Sequence, residues 1–444
     1  MQHSSFIFES FDLDLSNKKV IFRYTIKHDD ETISLSEKLI LPKAVDRDIP
    51  QELLTSIVAQ LHLILGISYW KLFCPQHIIV NSTSLTKDQA IFWDRVYTYG
   101  LGEFFYRNEI DFRNLINFPA NSTTVNPITI NTKNRSLVGI GGGKDSIVSI
   151  ELLKKAQKSI TGYSVPKDVS AIIQNTVTIA AIDSLQVTRI MDPAISSLNK
   201  RNDTYNGHVP VSSIYAFVGF FLAILYDYQF VISSNEHSAN YGNVEYLGNV
   251  INHQWSKSLE FEKLFQKYIH DVVTPSVQYF SLLRPWYEIK IAEVFAKYSE
   301  YFGSFSSCNR NFSSTMPNAT DQKWCGSCPK CAFVFVLLAA FLKKQQLLDI
   351  FKENLFEKPS LLPLFKELLG MKGIKPFECV GTSEETKVAF YMAYETGNYE
   401  NDLAMDMFIN ECLPEIKDID ELKKSVFMSE DNSSIPEEFR AVIL

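Results

Sequence analysis

The chain has 444 residues, 46% of them apolar, which gives room for roughly two or three domains with substantial cores. Forty-three basic against fifty-one acidic side chains leave a formal charge of −8, which argues against a broad nucleic-acid footprint, so no nucleic-acid partner is expected. Residues 1–6 lack a basic segment leading into a long apolar one. The apolar runs 214–225 and 332–342 are shorter than the roughly 20 residues that span a bilayer, so a cytoplasmic protein with no membrane partner is expected.

Period-two alternation of Phe6 and Phe8, of Val20, Phe22, Tyr24 and Ile26, and of Ile33, Leu35, Leu39 and Leu41 predicts a three-strand antiparallel meander. Leu53, Leu54, Ile57, Val58, Leu61 and Leu65 then follow helical spacing behind Pro50. No chemical motif stands out before about residue 130, so this part reads as a domain of shape, 1–130.

From Arg135 the pattern becomes apolar strands alternating with helices. Strands are predicted at 137–140, 177–182, 230–233 and 301–306, which implies parallel βαβ units with a ligand at the strands' carboxyl ends. Behind the first of them stands Gly141-Gly142-Gly143-Lys144-Asp145-Ser146. Three glycines at a strand-to-helix junction let backbone N–H groups turn toward a ligand, and the helix N-terminus adds positive partial charge, which makes a phosphate cradle. It lacks the length of a Walker loop and the spacing of a dinucleotide fingerprint. Asp183, read as following a strand, suits a contact to a nucleoside or metal, or equally a helix cap.

The segment 205–262 gathers three of the eight histidines, His208, His237 and His253, each within two residues of an amide side chain, together with Glu236 and Lys257. Arg284 and Cys308-Asn309-Arg310 follow. Histidine and carboxylate carry protons near neutral pH, which makes His208, His237 and Glu236 candidates for proton transfer. His253, Lys257 and Arg284 are candidates for binding an anionic substrate. Four of the seven cysteines, Cys308, Cys325, Cys328 and Cys331, fall within 24 residues with knuckle spacing, and four thiolates suit a structural zinc or an iron–sulfur cluster. The remainder reads as helices at 333–347, 348–355, 361–369 and 384–394. The expected fold class is therefore α/β, with an N-terminal antiparallel β-containing domain (1–130), a parallel-sheet domain bearing the cradle and the cysteines (131–335) and a helical C-terminal region (336–444).

The glycine loop is similar to the PP-loop of the ATP pyrophosphatase superfamily, Ser-Gly-Gly-x-Asp-Ser/Thr, with Gly141 in the place of Ser. That resemblance implies an adenine nucleotide α-hydrolase-like fold that cleaves ATP between its α- and β-phosphates. It places Mg²⁺ on Asp145 and pyrophosphate against Gly142, Gly143, Lys144 and Ser146. A PP-loop followed by Cys-x-x-Cys-x-x-Cys also resembles the deazaguanine-nitrile synthases, whose cysteines hold zinc, although those proteins are about half as long.

The order of Asn206-Gly207-His208-Val209-Pro210, Ser234-Asn235-Glu236-His237-Ser238, Phe280-Ser281-Leu282-Leu283-Arg284-Pro285 and the cysteines resembles the UDP-N-acetyl-α-D-muramoyl-L-alanyl-L-glutamate epimerase family of peptidoglycan synthesis. The resemblance implies ATP- and Mg²⁺-dependent inversion of the terminal L-glutamate of UDP-N-acetylmuramoyl-L-Ala-L-Glu, with release of AMP and pyrophosphate. Carboxylate amidation and tRNA thiolation are the alternatives within the PP-loop superfamily.

Overall fold

The alternating N-terminal residues form β1 (Ser5–Asp14), β2 (Lys19–His28) and β3 (Glu31–Ile40), an antiparallel meander with Phe6, Phe8, Val20, Phe22, Tyr24 and Leu39 turned inward. The computed structural model describes residues 4–166, 170–309 and 323–443. Against the meander lies α1 (Gln51–Trp70), followed by β4 (His77–Val80), parallel to β1, then α2 (Lys87–Gly100) and α3 (Gly102–Arg107). Helix α1 is the one described helix long and apolar enough to cross a membrane by length and composition, which the apolar runs picked out in the sequence did not include. It is a core element here, since 89% of its apolar window is buried inside the protein. Its polar interruptions are also satisfied: His62 bonds Ser82 Oγ at 2.9 Å and the Arg23 carbonyl at 3.0 Å.

The second half alternates as expected, with different members. β5 (Ser136–Gly139) leads through the glycine loop into α4 (Lys144–Lys155), then β6 (Ile160–Ser164), α5 (Ala171–Ala180) and β7 (Ser184–Gln186). The chain then lends β8 (Thr188–Ile190) to the edge of the first sheet, antiparallel to β3, and passes α6 (Ile195–Leu198) and α7 (Val211–Tyr226) to reach β9 (Phe230–Ser233). A hairpin of β10 (Val244–Tyr246) and β11 (Asn249–Ile251) precedes α8 (Leu259–Val272), β12 (Gln278–Ser281) and α9 (Glu288–Phe295).

Two strands expected from the sequence do not exist. Residues 177–180 end α5, whose Ile173, Thr176, Val177 and Ala180 bury one helical face and whose N-cap Ser170 accepts from the Ile173 N–H. The β-branched composition mimicked a strand, but the 3–4 spacing governs. Residues 301–306 continue a 3₁₀ turn into irregular chain. Their places in the sheet belong to β6, β7 and β12.

The parallel sheet runs β12-β9-β5-β6-β7. Both of its faces are covered, as parallel strands require. Leu137, Val231 and Tyr279 face the core shared with α1, α7 and the meander, whereas Val138, Ile232 and Phe280 face the core shared with α4, α9 and the C-terminal helices. From β5 the chain builds outward to β6 and β7, then returns to build β9 and β12 on the other side. The order therefore reverses between β5 and β9, and their carboxyl ends open the crevice where such sheets bind ligands. The C-terminal region is helical: α10 (Pro329–Ala339), α11 (Lys344–Phe351), α12 (Leu362–Leu368) and α13 (Ser383–Glu395). The molecule is thus mixed α/β, with one parallel sheet, one largely antiparallel sheet and a helical C-terminal part.

Candidate active site

At the carboxyl end of β5 the glycine loop turns into α4 with Gly143 as N-cap. Gly142 sits at φ +82°, and a Cβ there would lie 2.6 Å from Ile172 Cγ2; one at Gly143 would lie 2.6 Å from Ser307 Oγ. The loop needs glycine for backbone angle at the first position and for space at the second. Its back rests on the segment before Cys308, where the Ser306 N–H donates to the Gly142 carbonyl at 3.0 Å. Ser146 Oγ donates to the Gly143 carbonyl, and Ser234 Oγ, beyond β9, donates to Ser149 Oγ on α4 at 2.8 Å. The two strand ends at the reversal are thereby tied together.

Beside the loop, Asp145, Glu236 and Glu288 place carboxylate oxygens within 4.8 Å of one another. Lys144, buried, pairs with both Asp145 and Glu288, and Lys330 reaches Glu288 at 3.3 Å. Burial would lower the Lys144 pKa, but the two carboxylates outweigh it and hold the ammonium above its ordinary value. Glu236 is 1% exposed, and its Oε1 has no hydrogen-bond partner among the described residues. A buried, unsatisfied carboxylate oxygen costs free energy unless a ligand completes it, so Asp145 and Glu236 fit a hard divalent cation bound through oxygen. Lys257 faces the same acids: burial opposes its charge, but Cys379, Glu236, Asp145 and Glu288 keep its pKa raised.

Across the crevice, Glu103 on α3 gathers two of the expected histidines. Its Oε2 lies 2.5 Å from His253 Nδ1 and 3.6 Å from His208 Nδ1, and the two imidazole rings are 4.5 Å apart. The 2.5 Å contact is shorter than the about 3.4 Å between two ligands on one tetrahedral ion, so Glu103 and His253 form a hydrogen-bonded pair. The other nitrogen of His253, Nε2, lies 3.9 Å from Cys379 Sγ. Burial would lower the His253 pKa, yet Cys379 and Glu103 lift it to about 9. Burial would raise the Cys379 thiol, but Lys257 and His253 bring it down to about 7. Burial and the neighbouring His253 charge depress His208 to about 3, so it stays neutral.

Neither Glu103 nor Cys379 was singled out in the sequence. Cys379 arrives on a stretch pinned to the β10–β11 region, where Asn243 Nδ2 donates to the Pro376 carbonyl at 2.8 Å and Gln254 Nε2 to the Val380 carbonyl at 3.0 Å.

Three expected residues do not join this group. Arg284 is buried and wholly occupied: it pairs with Glu262 at 2.7 Å and donates to the carbonyls of Glu236 and Lys257, so it positions those two residues and has no hand free for substrate. His237 turns its ring to Tyr287, 4.7 Å away, and Tyr241. Asp183 precedes β7, one residue before the register pair Gly162–Ser184, level with the amino-terminal half of β5 and away from the glycine loop. Arg310 lies outside the described residues.

Cys308, Cys325, Cys328 and Cys331 are free thiols whose sulfurs all lie within 4.8 Å of one another, with Cys328 and Cys331 at 3.4 Å and Cys325 and Cys331 at 3.7 Å. Disulfide sulfurs would lie about 2.05 Å apart, whereas zinc–sulfur bonds of about 2.3 Å in a tetrahedron separate sulfurs by about 3.8 Å. The donor set fits a closed structural zinc site. No position is left for a reacting ligand.

Residues 1–282 match the MurL N-terminal domain family and residues 304–423 the MurL C-terminal domain family. A protein of Xanthomonas oryzae pv. oryzae is 36% identical over 380 residues, 85% of this chain and 83% of that one. Relatives in a Micromonospora species and in Salinispora tropica are 33% and 34% identical over 402 residues, each alignment covering 89% of this chain and respectively 88% and 86% of the relative. All three are named UDP-N-acetyl-α-D-muramoyl-L-alanyl-L-glutamate epimerase.

Proposed function

The chain belongs to the UDP-N-acetyl-α-D-muramoyl-L-alanyl-L-glutamate epimerase family, and from that premise we propose that it inverts the terminal glutamate of UDP-N-acetylmuramoyl-L-Ala-L-Glu for peptidoglycan synthesis. In this reading ATP is spent on the glutamate α-carboxylate, which becomes an acyl adenylate as pyrophosphate leaves, and hydrolysis later frees AMP. The observation that supports it best is the glycine loop at the sheet's reversal point, facing Asp145 and the unsatisfied Glu236.

The chemistry explains why ATP is needed. A carboxylate makes the adjacent Cα–H a very weak acid, because deprotonation would place a second negative charge beside the first. Adenylation removes that charge and gives the departing electron pair an acyl oxygen to occupy. The N–H groups of Gly142 and Gly143 at the head of α4 would receive the phosphates, and Ser146 the pyrophosphate. Lys144 would cancel phosphate charge, with Glu288 holding its ammonium in place. Mg²⁺, when bound at Asp145 and Glu236, supplies charge neutralisation on the phosphates. Structural zinc on Cys308, Cys325, Cys328 and Cys331 would staple the segment that backs the loop.

The test is incubation with ATP, Mg²⁺ and the L-Ala-L-Glu substrate in D₂O. AMP forms, and deuterium appears at the glutamate Cα of the D product. AMP without deuterium would refute epimerisation, and absence of both would refute the whole reading.

A further inference from the structure

We propose that Cys379 and Lys257 are the two proton carriers at the glutamate α-carbon, one on each face, with His253 and Glu103 as positioning residues for the thiolate. This rests on the adenylating-epimerase reading above. Inversion requires a proton to leave one face of Cα and another to arrive on the opposite face, so the site must present two groups with the carbon between them.

Among the titratable groups in the crevice, Glu103, His253 and Cys379 form one line: carboxylate to Nδ1 at 2.5 Å, Nε2 to sulfur at 3.9 Å. This is the arrangement by which an orienting acid and an imidazole sustain a thiolate. A carbon that reacts on both faces needs carriers about 6–7 Å apart, since each reacting pair stands at about 3–3.5 Å. The 3.9 Å contact therefore puts His253 on the same side as Cys379, and it cannot serve the other face. His208 lies with its ring 4.5 Å from that of His253 and is depressed to about 3, and His237 is turned onto Tyr287.

Among the lysines near these groups, Lys144 is paired with Asp145 and Glu288, Lys330 with Glu288 and the Cys379 carbonyl, and Lys375 donates to the Tyr241 carbonyl. The Lys257 ammonium makes no hydrogen bond among the described residues and has Cys379, Glu236, Asp145 and Glu288 as its charge neighbours. Arg284 fixes the Lys257 backbone by donating to its carbonyl at 2.6 Å. A thiol that titrates near 7 is substantially thiolate at neutral pH, as a base in this role must be.

The step balances within the site. The Cα–H bond breaks, its proton passes to Cys379 Sγ, and its electron pair moves into the acyl adenylate as an enolate. The enolate electron pair then takes a proton from the Lys257 ammonium on the opposite face. A neutral amine and a thiol are left, and these reset through solvent. No oxidant, reductant or second cofactor is required.

The experiment uses the full chain and both epimers of the UDP-N-acetylmuramoyl dipeptide in D₂O, with ATP–pyrophosphate exchange as an independent measure of adenylation. In the unaltered protein, deuterium enters the product while residual substrate keeps its protium. Cys379→Ser retains pyrophosphate exchange within about threefold, loses net epimerisation at least 100-fold, and still exchanges Cα hydrogen from one epimer only. Lys257→Arg keeps the positive charge but no titratable amine, and exchanges hydrogen from the other epimer only. Exchange from both epimers, or from neither, in either variant with pyrophosphate exchange intact overturns the proposal. Absence of pyrophosphate exchange in the unaltered protein would instead strike the adenylation reading.

Discussion

Glu103, His253 and Cys379 lie 150 and 126 residues apart along the chain, yet each sets the other's charge. Because Cys379 must be deprotonated to act as a base, activity rises as pH passes through about 7. As pH passes through about 9, His253 loses its proton and with it the N–H that Nε2 offers to the Cys379 sulfur, so the thiolate is no longer held in place and we expect kcat/KM to fall again, giving a bell-shaped profile. Glu103→Gln removes the charge that lifts His253, and the alkaline limb moves toward acid by about 1–3 pH units. An alkaline limb that stays in place would exclude Glu103 from the positioning role. The same shift has a sign for stability. The folded His253 pKa lies above the ordinary imidazole value of 6.5, so its contribution is complete below that value and is lost as pH climbs through about 9. The sequence disclosed His208 and His253 because each sits among amides, but nothing local marks Glu103 or Cys379, whose roles depend on long-range packing. Arg284 failed in the opposite sense: its residue type suits anions, and only burial against Glu262 shows that it is spent.

At the scale of elements, the glycine loop was readable because strand, glycines and helix are contiguous. The strand at 177–182 was misread because Ile, Val and Thr favour strands in general while their spacing here serves the buried face of α5. The loop's geometry makes a sharp prediction. Gly142→Ala forces a side chain into the left-handed region, at about 1–2 kcal/mol, and drives its Cβ toward Ile172. We expect the KM for ATP in pyrophosphate exchange to rise about tenfold or more, with zinc content unchanged; an unaltered KM would mean that the loop does not touch the nucleotide.

At the scale of the molecule, the meander was legible from periodicity, whereas of the parallel sheet only β5 and β9 were. What periodicity does not reveal is how they join: β8 leaves the second half of the chain to extend the first sheet, and 375–380 returns from the C-terminal helices to the crevice. The cysteine site is the third such join. Cys308→Ser should abolish stoichiometric zinc binding and, if it costs even about 3 kcal/mol, lower Tm by roughly 3 °C. It should also weaken ATP binding, because Ser306 and Ser307 against Gly142 and Gly143 lose their anchor. A variant with full ATP affinity would separate the knuckle from the loop.

The order in which these parts occur along the chain bears on its synthesis. The phosphate loop leaves the ribosome well before the serines that back it, the cysteines that anchor those serines, and Cys379. Translation at about 5–20 residues per second puts roughly 10–50 s between Gly142 and Cys379. During that interval the nascent chain holds a glycine loop with neither its backing nor the proton carrier beside it. If the loop splits ATP as proposed, an unfinished chain lacks the serines and cysteines that shape and anchor it, so adenylation awaits the segment that backs the loop, and inversion awaits Cys379.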